Sequence, residues 1–162
     1  MKNDTQDNNA AEETVRLYSD MLYKIAIANT RSAADAEDIV QEALFRYLKY
    51  NSDFETEDHK KAWLIRVTVN LSRSLLKSAW FRKTTALDDR YITEMEELNE
   101  VHREVLQLPV RYRVPIHLFY YEGYSIREIS GILEKKEATV KTLLRRGRMK
   151  LKERLQGEYD DL

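Results

Sequence analysis

The sequence has no cysteine in 162 residues. That absence removes disulfides, thiolate metal sites and thiol nucleophiles, and is compatible with a reducing cytosol. It also has only four glycines and two prolines and no alternating β-branched segments. There is therefore little material for hairpins, and the expected fold class is all-α. No apolar run approaches the ~18 residues of a membrane span. The start, MKNDTQDNNAAEE, is polar and acidic rather than a signal peptide, so a soluble, cytoplasmic chain is expected. Catalytic constellations are missing as well. His59, His102 and His117 stand in no metal-ligand spacing, no strand precedes a glycine-rich phosphate loop, and no nucleophile can be paired with a base. The expectation is no catalytic residue, no metal, no cofactor and no enzyme activity.

Charge is abundant but segregated. The net charge is only −1 although 34% of residues are charged. Residues 35 to 42 crowd Asp35, Glu37, Asp38, Gln41 and Glu42 onto the start of a helix. His59 to Lys83 carries seven cations and no acid, and Thr84 to Glu104 reverses to a net −5. Lys141 to Leu155 returns to a net +6. A solvated helix face usually mixes signs, whereas single-sign clustering beside a turn favours phosphate contact. Acidic residues at a helix start suit the macrodipole, and their density also makes a surface that could dock a basic partner.

The helical periods set the order of elements. Met1 to about Ala11 lacks apolar anchors and is expected to be disordered. Val15, Tyr18, Leu22, Ile25 and Ala28 mark a first helix. Ser32 with Asp35 restarts the chain, and Ala36, Ile39, Val40, Ala43, Leu44, Tyr47 and Leu48 form the stripe of a second. Asn51 to Asp58 is a loop whose lone aromatic, Phe54, either plugs the core, the commoner outcome, or faces a ligand. A third helix spans His59 to Lys83 with Leu64, Val67, Leu71 and Leu75 inward. Its Trp63, Trp80 and Phe81 lie among cations, the combination that stacks unpaired bases, although Trp63 also suits a core anchor. Thr84 to about Thr93 reads as a linker. Helicity resumes with Met95, Leu98, Val101, Val105 and Leu108 until Pro109. Arg111 to Tyr121 forms another helix, with Val114, His117, Leu118 and Tyr121 inward, closed by Gly123.

From Tyr124 to Leu155 the pattern is a helix-turn-helix. Ser125 and Glu128 make a capping box, and Ile126, Ile129, Ile132 and Leu133 give the first helix one apolar face. Glu134-Lys135-Lys136 is the turn. Val140, Leu144, Leu151 and Leu155 line one side of the second helix, opposite Lys141, Arg145, Arg148 and Lys152. In such pairs the second helix lies in a DNA major groove.

Three stretches, DAEDIVQEALFRYLKY at 35–50, WLIRVTVNLSRSLL at 63–76 and LPVRYRVPIHLFYYEGYSIREISGILEKKEATVKTLLRRGRMKL at 108–151, resemble the bacterial extracytoplasmic-function sigma factors. These are minimal members of the sigma-70 superfamily. The resemblance runs from about Thr14 to Leu155. It implies two small helical domains, sigma2 at 12–83 and a sigma4 helix-turn-helix at 95–156, joined by an acidic linker at 84–94. It further implies that Asp38, Gln41 and Glu42 dock the β′ clamp helices of core RNA polymerase, and that sigma4 meets the β flap. Phe54, in a loop that captures a flipped base, would act on −10 DNA together with Lys61, Trp63, Arg66, Asn70 and Arg73, with Asn70 helping to open the duplex. Unstacking a base takes a few kcal/mol, which aromatic and amide contacts can offset. Ser125, Lys141, Thr142, Arg145 and Arg146 would meet the −35 element. Family members are usually restrained by an anti-sigma factor, and one is expected here.

Three departures bear on promoter choice. Glu134 and Ala138 stand where the family commonly has glycine, and Leu143 stands for a usual arginine. Gly147 lies inside the recognition helix at a cost of about 1 kcal/mol relative to alanine. Two readings of other classes remain open at this point: a helix-turn-helix regulator acting without polymerase, and a polymerase-binding decoy without initiation activity.

Overall fold

The structure, a computed structural model, describes residues 4–50, 53–79 and 89–160. Among these residues there is no strand. Trp80, Phe81, Arg82, Lys83 and the first part of the expected linker lie outside the described residues.

The first three helices pack mutually: α1 (Asp4–Thr30), α2 (Ala33–Tyr50) and α3 (Glu57–Ala79). Contrary to the expected disorder, α1 already begins at Asp4. Its first turns are exposed. They are carried by helix formers such as Ala10, Ala11, Glu12 and Glu13 and by acids at the positive end of the dipole, not by burial. Arg31 adopts φ 54° and reverses the chain. The Ser32 hydroxyl then accepts the Asp35 N–H at 3.2 Å, the restart expected of that pair. Thr56 caps α3 in the same way, accepting from His59 N at 3.0 Å, which moves the helix start two residues ahead of the expected His59. The inward register of α3 also differs from expectation. Leu64, Ile65, Thr68, Val69 and Ser72 are fully buried, whereas Val67, Leu71 and Leu75 are half-buried. Two polar residues can take core positions because Thr68 and Ser72 donate to the carbonyls of Leu64 and Thr68, at 2.8 and 2.7 Å.

In the second half, α4 (Asp89–Glu96) and α5 (Glu100–Gln107) replace the single helix expected from Met95 to Leu108. The break is local chemistry: Asn99 is extended, and its side chain accepts from His102 N at 2.8 Å as the N-cap of α5. Beyond Pro109, α6 (Val110–Ile116) contains Pro115 and widens into a π-helical turn over His117–Tyr121. Pro115 has no N–H to offer the ladder, and the register changes directly after it, with Glu122 N bonding to His117 O at 3.1 Å. Val114, His117 and Leu118 are buried as expected, but Tyr121 is exposed. Gly123, at φ 73°, ends the turn in a conformation suited to glycine. Then follow α7 (Ile126–Leu133) and α8 (Glu137–Asp160).

The two halves are not separate bodies on a tether. One continuous apolar cluster runs from Leu22, Ile25, Ile39 and Leu64 through Tyr112, Ile116 and Leu118 to Ile129, Val140 and Leu144. Helix α6 packs on α1, and α7 packs on α3. Arg113 is the polar pin of this junction. Only 5% exposed, it donates to the carbonyls of Ala28, Asn29 (3.0 Å) and Leu108 (3.0 Å). Burial pulls its pKa down to about 10, chiefly by desolvation and secondarily through Arg31, so it stays charged at neutral pH and needs those carbonyls.

Candidate nucleic-acid interface

The start of α3 carries an aromatic cluster. Phe54 is half-buried, stacks on Tyr47 at 6.1 Å and lies 5.7 Å from the Trp63 ring. Tyr50 stacks on the other side of the cluster against Trp63 at 5.4 Å, and the His59 edge meets Phe54 at 5.4 Å. Phe54 therefore packs in a rim shared with Trp63, neither sealed in the core nor isolated in solvent. Trp63 is half-buried against the core cluster. Helical spacing continues this rim along α3. Asn70 is exposed, while Lys61 lies over the Tyr124 ring at 5.3 Å. Arg66 donates to the Gly131 carbonyl at 3.2 Å and Arg73 to the Leu133 carbonyl at 3.3 Å. Of the six expected −10 residues, Phe54 and Trp63 touch each other, and three cations are turned onto the α7 segment.

The helix-turn-helix is built as its sequence promises up to the turn. Ser125 accepts from Glu128 N at 3.1 Å, and Glu128 accepts from Ser125 N at 3.2 Å. Glu134 then adopts φ 54°, ψ 46°, the left-handed region that favours glycine. Its N–H and that of Lys135 return to the Ser130 carbonyl, closing α7 sharply so that α8 can cross it. On α8, Lys141, Arg145 and Arg146 are exposed on adjoining turns. Arg145 reaches the Met149 sulfur at 3.9 Å, and the Thr142 hydroxyl is returned to the Ala138 carbonyl at 3.0 Å. Further along, three exposed cations make contacts within the protein. Arg148 reaches the Tyr120 hydroxyl (3.2 Å), Lys150 lies over Tyr112 (5.8 Å) and Arg154 pairs with Glu104 (2.6 Å). Leu143, the departure from arginine, is half-buried against the core.

Gly147 is where α8 crosses α6. A Cβ there would stand 2.5 Å from Ile116 Cδ1 and 3.2 Å from Tyr112 Cβ. The glycine that looked like a helix defect is a contact requirement.

Asp38, Gln41 and Glu42 all lie exposed on α2, Glu42 pairing with Arg46 at 2.9 Å. Asp38 and Glu42 edge a shallow groove of about 290 Å³ between α2 and α3, whose far wall is Leu71, Ser74, Leu75 and Ser78.

Sequence reasoning missed Arg113, Tyr23, Glu94 and the ring stack at the junction. Tyr23 donates to Glu94 at 2.7 Å; burial, then the Glu94 carboxylate, raises its pKa. His102 lies on Tyr121 at 4.1 Å, and Tyr121 on His117 at 5.5 Å. His117 Nε2 meets Glu122 at 3.1 Å. A cavity of about 390 Å³ bordered by Tyr23, Ile27, Glu94, Leu98 and His102 opens beside this stack. No periodicity announces a contact between residues 71 positions apart, such as Tyr23 and Glu94.

Both halves of the chain match known protein families. The model of sigma-70 region 2 matches residues 14–82, and that of sigma-70 region 4 matches 98–151. The ECF RNA polymerase sigma factor SigL of Mycobacterium tuberculosis is 32% identical over 135 residues, covering 76% of each chain. The chain belongs to the ECF sigma factor family. SigW of Bacillus subtilis is 27% identical over 169 residues, covering 92% of this chain and 90% of its own. Among solved structures, the sigma factor RpoE in complex with the anti-sigma factor NepR, from Bartonella quintana, aligns with a TM-score of 0.70 at 21% identity. That alignment covers 90% of this chain and 96% of that one. CnrH, in complex with the cytosolic domain of CnrY, aligns with a TM-score of 0.60 at 23% identity, covering 93% and 90%. The protein is an alternative sigma factor, a promoter-specificity subunit that directs RNA polymerase to promoters. Among the described residues no helix is long and apolar enough to cross a membrane.

Proposed function

We propose that this sigma factor reads −35 duplex DNA with α8 and opens −10 DNA with the start of α3, while the acidic face of α2 docks the polymerase β′ clamp helices. The observation that carries the reading is the aromatic rim of Phe54 and Trp63, flanked by Tyr47, Tyr50 and His59, at the head of a helix rich in cations. Flat rings accept unstacked bases, and the cations hold the backbone. Exposed Lys141, Arg145 and Arg146 supply the −35 contacts, together with Thr142 and Ser125. The two domains correspond to 12–83 and 95–156, with 84–94 between them. The sigma factor works in the cytoplasm, has no catalytic centre of its own, and has an anti-sigma factor as a further partner, a reading supported by the similar sigma factor RpoE, which is solved in complex with the anti-sigma factor NepR.

The test is run-off transcription with purified core polymerase on the DNA upstream of its own gene. A transcript is expected; normal binding to core with no transcript would leave only the decoy reading, and promoter binding without core would favour a conventional regulator. Asn70→Ala is expected to keep duplex binding and to impair opening, read by permanganate reactivity of −10 thymines. Equal loss of both would contradict a melting role.

A further inference from the structure

The cavity of about 390 Å³ beside the ring stack contains none of the residues assigned to DNA or to polymerase. Ile27, Met95, Leu98 and Leu106 give it apolar walls, and a few polar groups interrupt them. Sites for small organic molecules are built in this way. Two features point to the chemistry of an occupant. The first is His117, which lines the cavity and is only 2% exposed. Its Nε2 meets the Glu122 carboxylate at 3.1 Å, so in the neutral imidazole Nε2–H donates there and Nδ1 is left as an acceptor. Nδ1 has no hydrogen-bond partner in the protein, and a buried acceptor is costly until a donor meets it. The second feature is charge. Asp20, Glu94 and Glu97 line the cavity against Lys24, which is paired with Asp20 at 3.0 Å. Arg90 reaches Glu94 at 3.3 Å but is shared with Glu37, so the acids stay in excess. Burial holds His102 below the ordinary histidine range, and at neutral pH its ring brings no compensating positive charge.

We propose that this cavity binds a compact apolar amine in its protonated form, with the hydrocarbon body against Ile27, Leu98 and Leu106 and the ammonium directed to the acceptors on Glu94 and His117. An ammonium donates three hydrogen bonds and accepts none, which suits a wall that holds carboxylates and an acceptor nitrogen. Hydrogen bonds to an ionised partner are roughly twice as strong as neutral ones, so the amine is preferred to an alcohol of the same shape. An acid of that shape meets the like charge of Glu94 and Glu97 instead. The Tyr23 hydroxyl, kept protonated by burial and by the Glu94 carboxylate, donates to that carboxylate at 2.7 Å and fixes its orientation before a ligand arrives. Among the described residues no three imidazole or carboxylate groups converge as a metal ion would need, and the apolar walls favour an organic cation.

Tryptamine, tryptophol and indolepropionate share one aromatic body and differ in charge, and each can be titrated by calorimetry into the full chain at neutral pH. Tryptamine is expected to bind about tenfold or more tighter than tryptophol, with indolepropionate weaker still. Glu94→Gln keeps an acceptor for Tyr23 and is expected to weaken tryptamine about tenfold while leaving tryptophol unchanged. Leu98→Trp fills the cavity and is expected to abolish binding of both. Nitrogen NMR of the His117 ring is expected to show the Nδ1 resonance shifting as tryptamine is added. Should Leu98→Trp fail to fold, Glu94→Gln and the His117 resonance decide the matter without it. Absence of tryptamine binding overturns the proposal and leaves ordered water as the partner of Nδ1. Equal binding of the alcohol or the acid overturns it as well. So does tryptamine binding that Glu94→Gln leaves unchanged or that does not move the His117 resonance, since the amine would then sit elsewhere, such as on the aromatic rim of α3.

Discussion

At the scale of single residues, two positions in the helix-turn-helix have consequences opposite to those their residue types suggest. Glu134 occupies the left-handed region at φ 54°, where a side chain costs about 1–2 kcal/mol. Glu134→Gly relieves that strain but adds freedom to the unfolded chain worth about 0.4–1 kcal/mol, so a net gain of about 0.5–1 kcal/mol is expected. It would be read as a higher urea midpoint at unchanged m-value. Gly147→Ala should gain about 1 kcal/mol from helix propensity. Instead its Cβ would meet Ile116 Cδ1 at 2.5 Å and Tyr112 Cβ at 3.2 Å. Overpacking of a tight site costs about 1–3 kcal/mol, and net destabilisation is expected in the same titration. Neither outcome is legible in the sequence. Propensity describes a residue's own backbone, whereas position 147 is decided by Tyr112 and Ile116, more than thirty residues earlier.

Among elements, α8 shows how far a charge count carries. The net +6 of residues 141–155 correctly marks a cationic helix, but the structure divides its work. Lys141, Arg145 and Arg146 are open, whereas Arg148 and Arg154 are held by Tyr120 and Glu104. Arg146→Ala is therefore expected to lower the slope of log affinity against log salt by about one, with thermal stability unchanged. Arg148→Ala is expected to act in the other direction, loosening α8 against the π-helical turn with little change in slope. Fluorescence anisotropy over a salt series and a melting curve separate the two. The capping box of α7, the restart at Ser32 and the apolar faces of α2 and α7 were all readable, because each is written within a few residues. The Asn99 cap that divides α4 from α5 was overlooked beneath an unbroken apolar period. The π-helical turn has no sequence period of its own beyond Pro115. The exposed first turns of α1 offer no apolar stripe to find.

Over the whole molecule, the halves share one core, so protonation at their junction acts on the stability of both. His102, on α5, stacks on Tyr121 and lies 6.2 Å from His117. Burial, then His117 and Lys24, holds its imidazole below the ordinary histidine range. The unfolded chain therefore takes up this proton first as pH falls. The stabilising contribution is complete above the unfolded value near pH 6.5 and is lost as pH drops through that value toward the folded one. One such group gives a slope of at most about 1.4 kcal/mol per pH unit within that window. Urea unfolding from pH 7.5 down to pH 5 should show declining stability, with the carboxylate contributions entering only lower down. His102→Gln cannot take the proton and is expected to flatten the upper part of that decline while leaving the lower part in place. An unchanged profile would assign the loss to groups other than His102. A flattened profile assigns the upper part of the decline to His102 at the junction of the two halves.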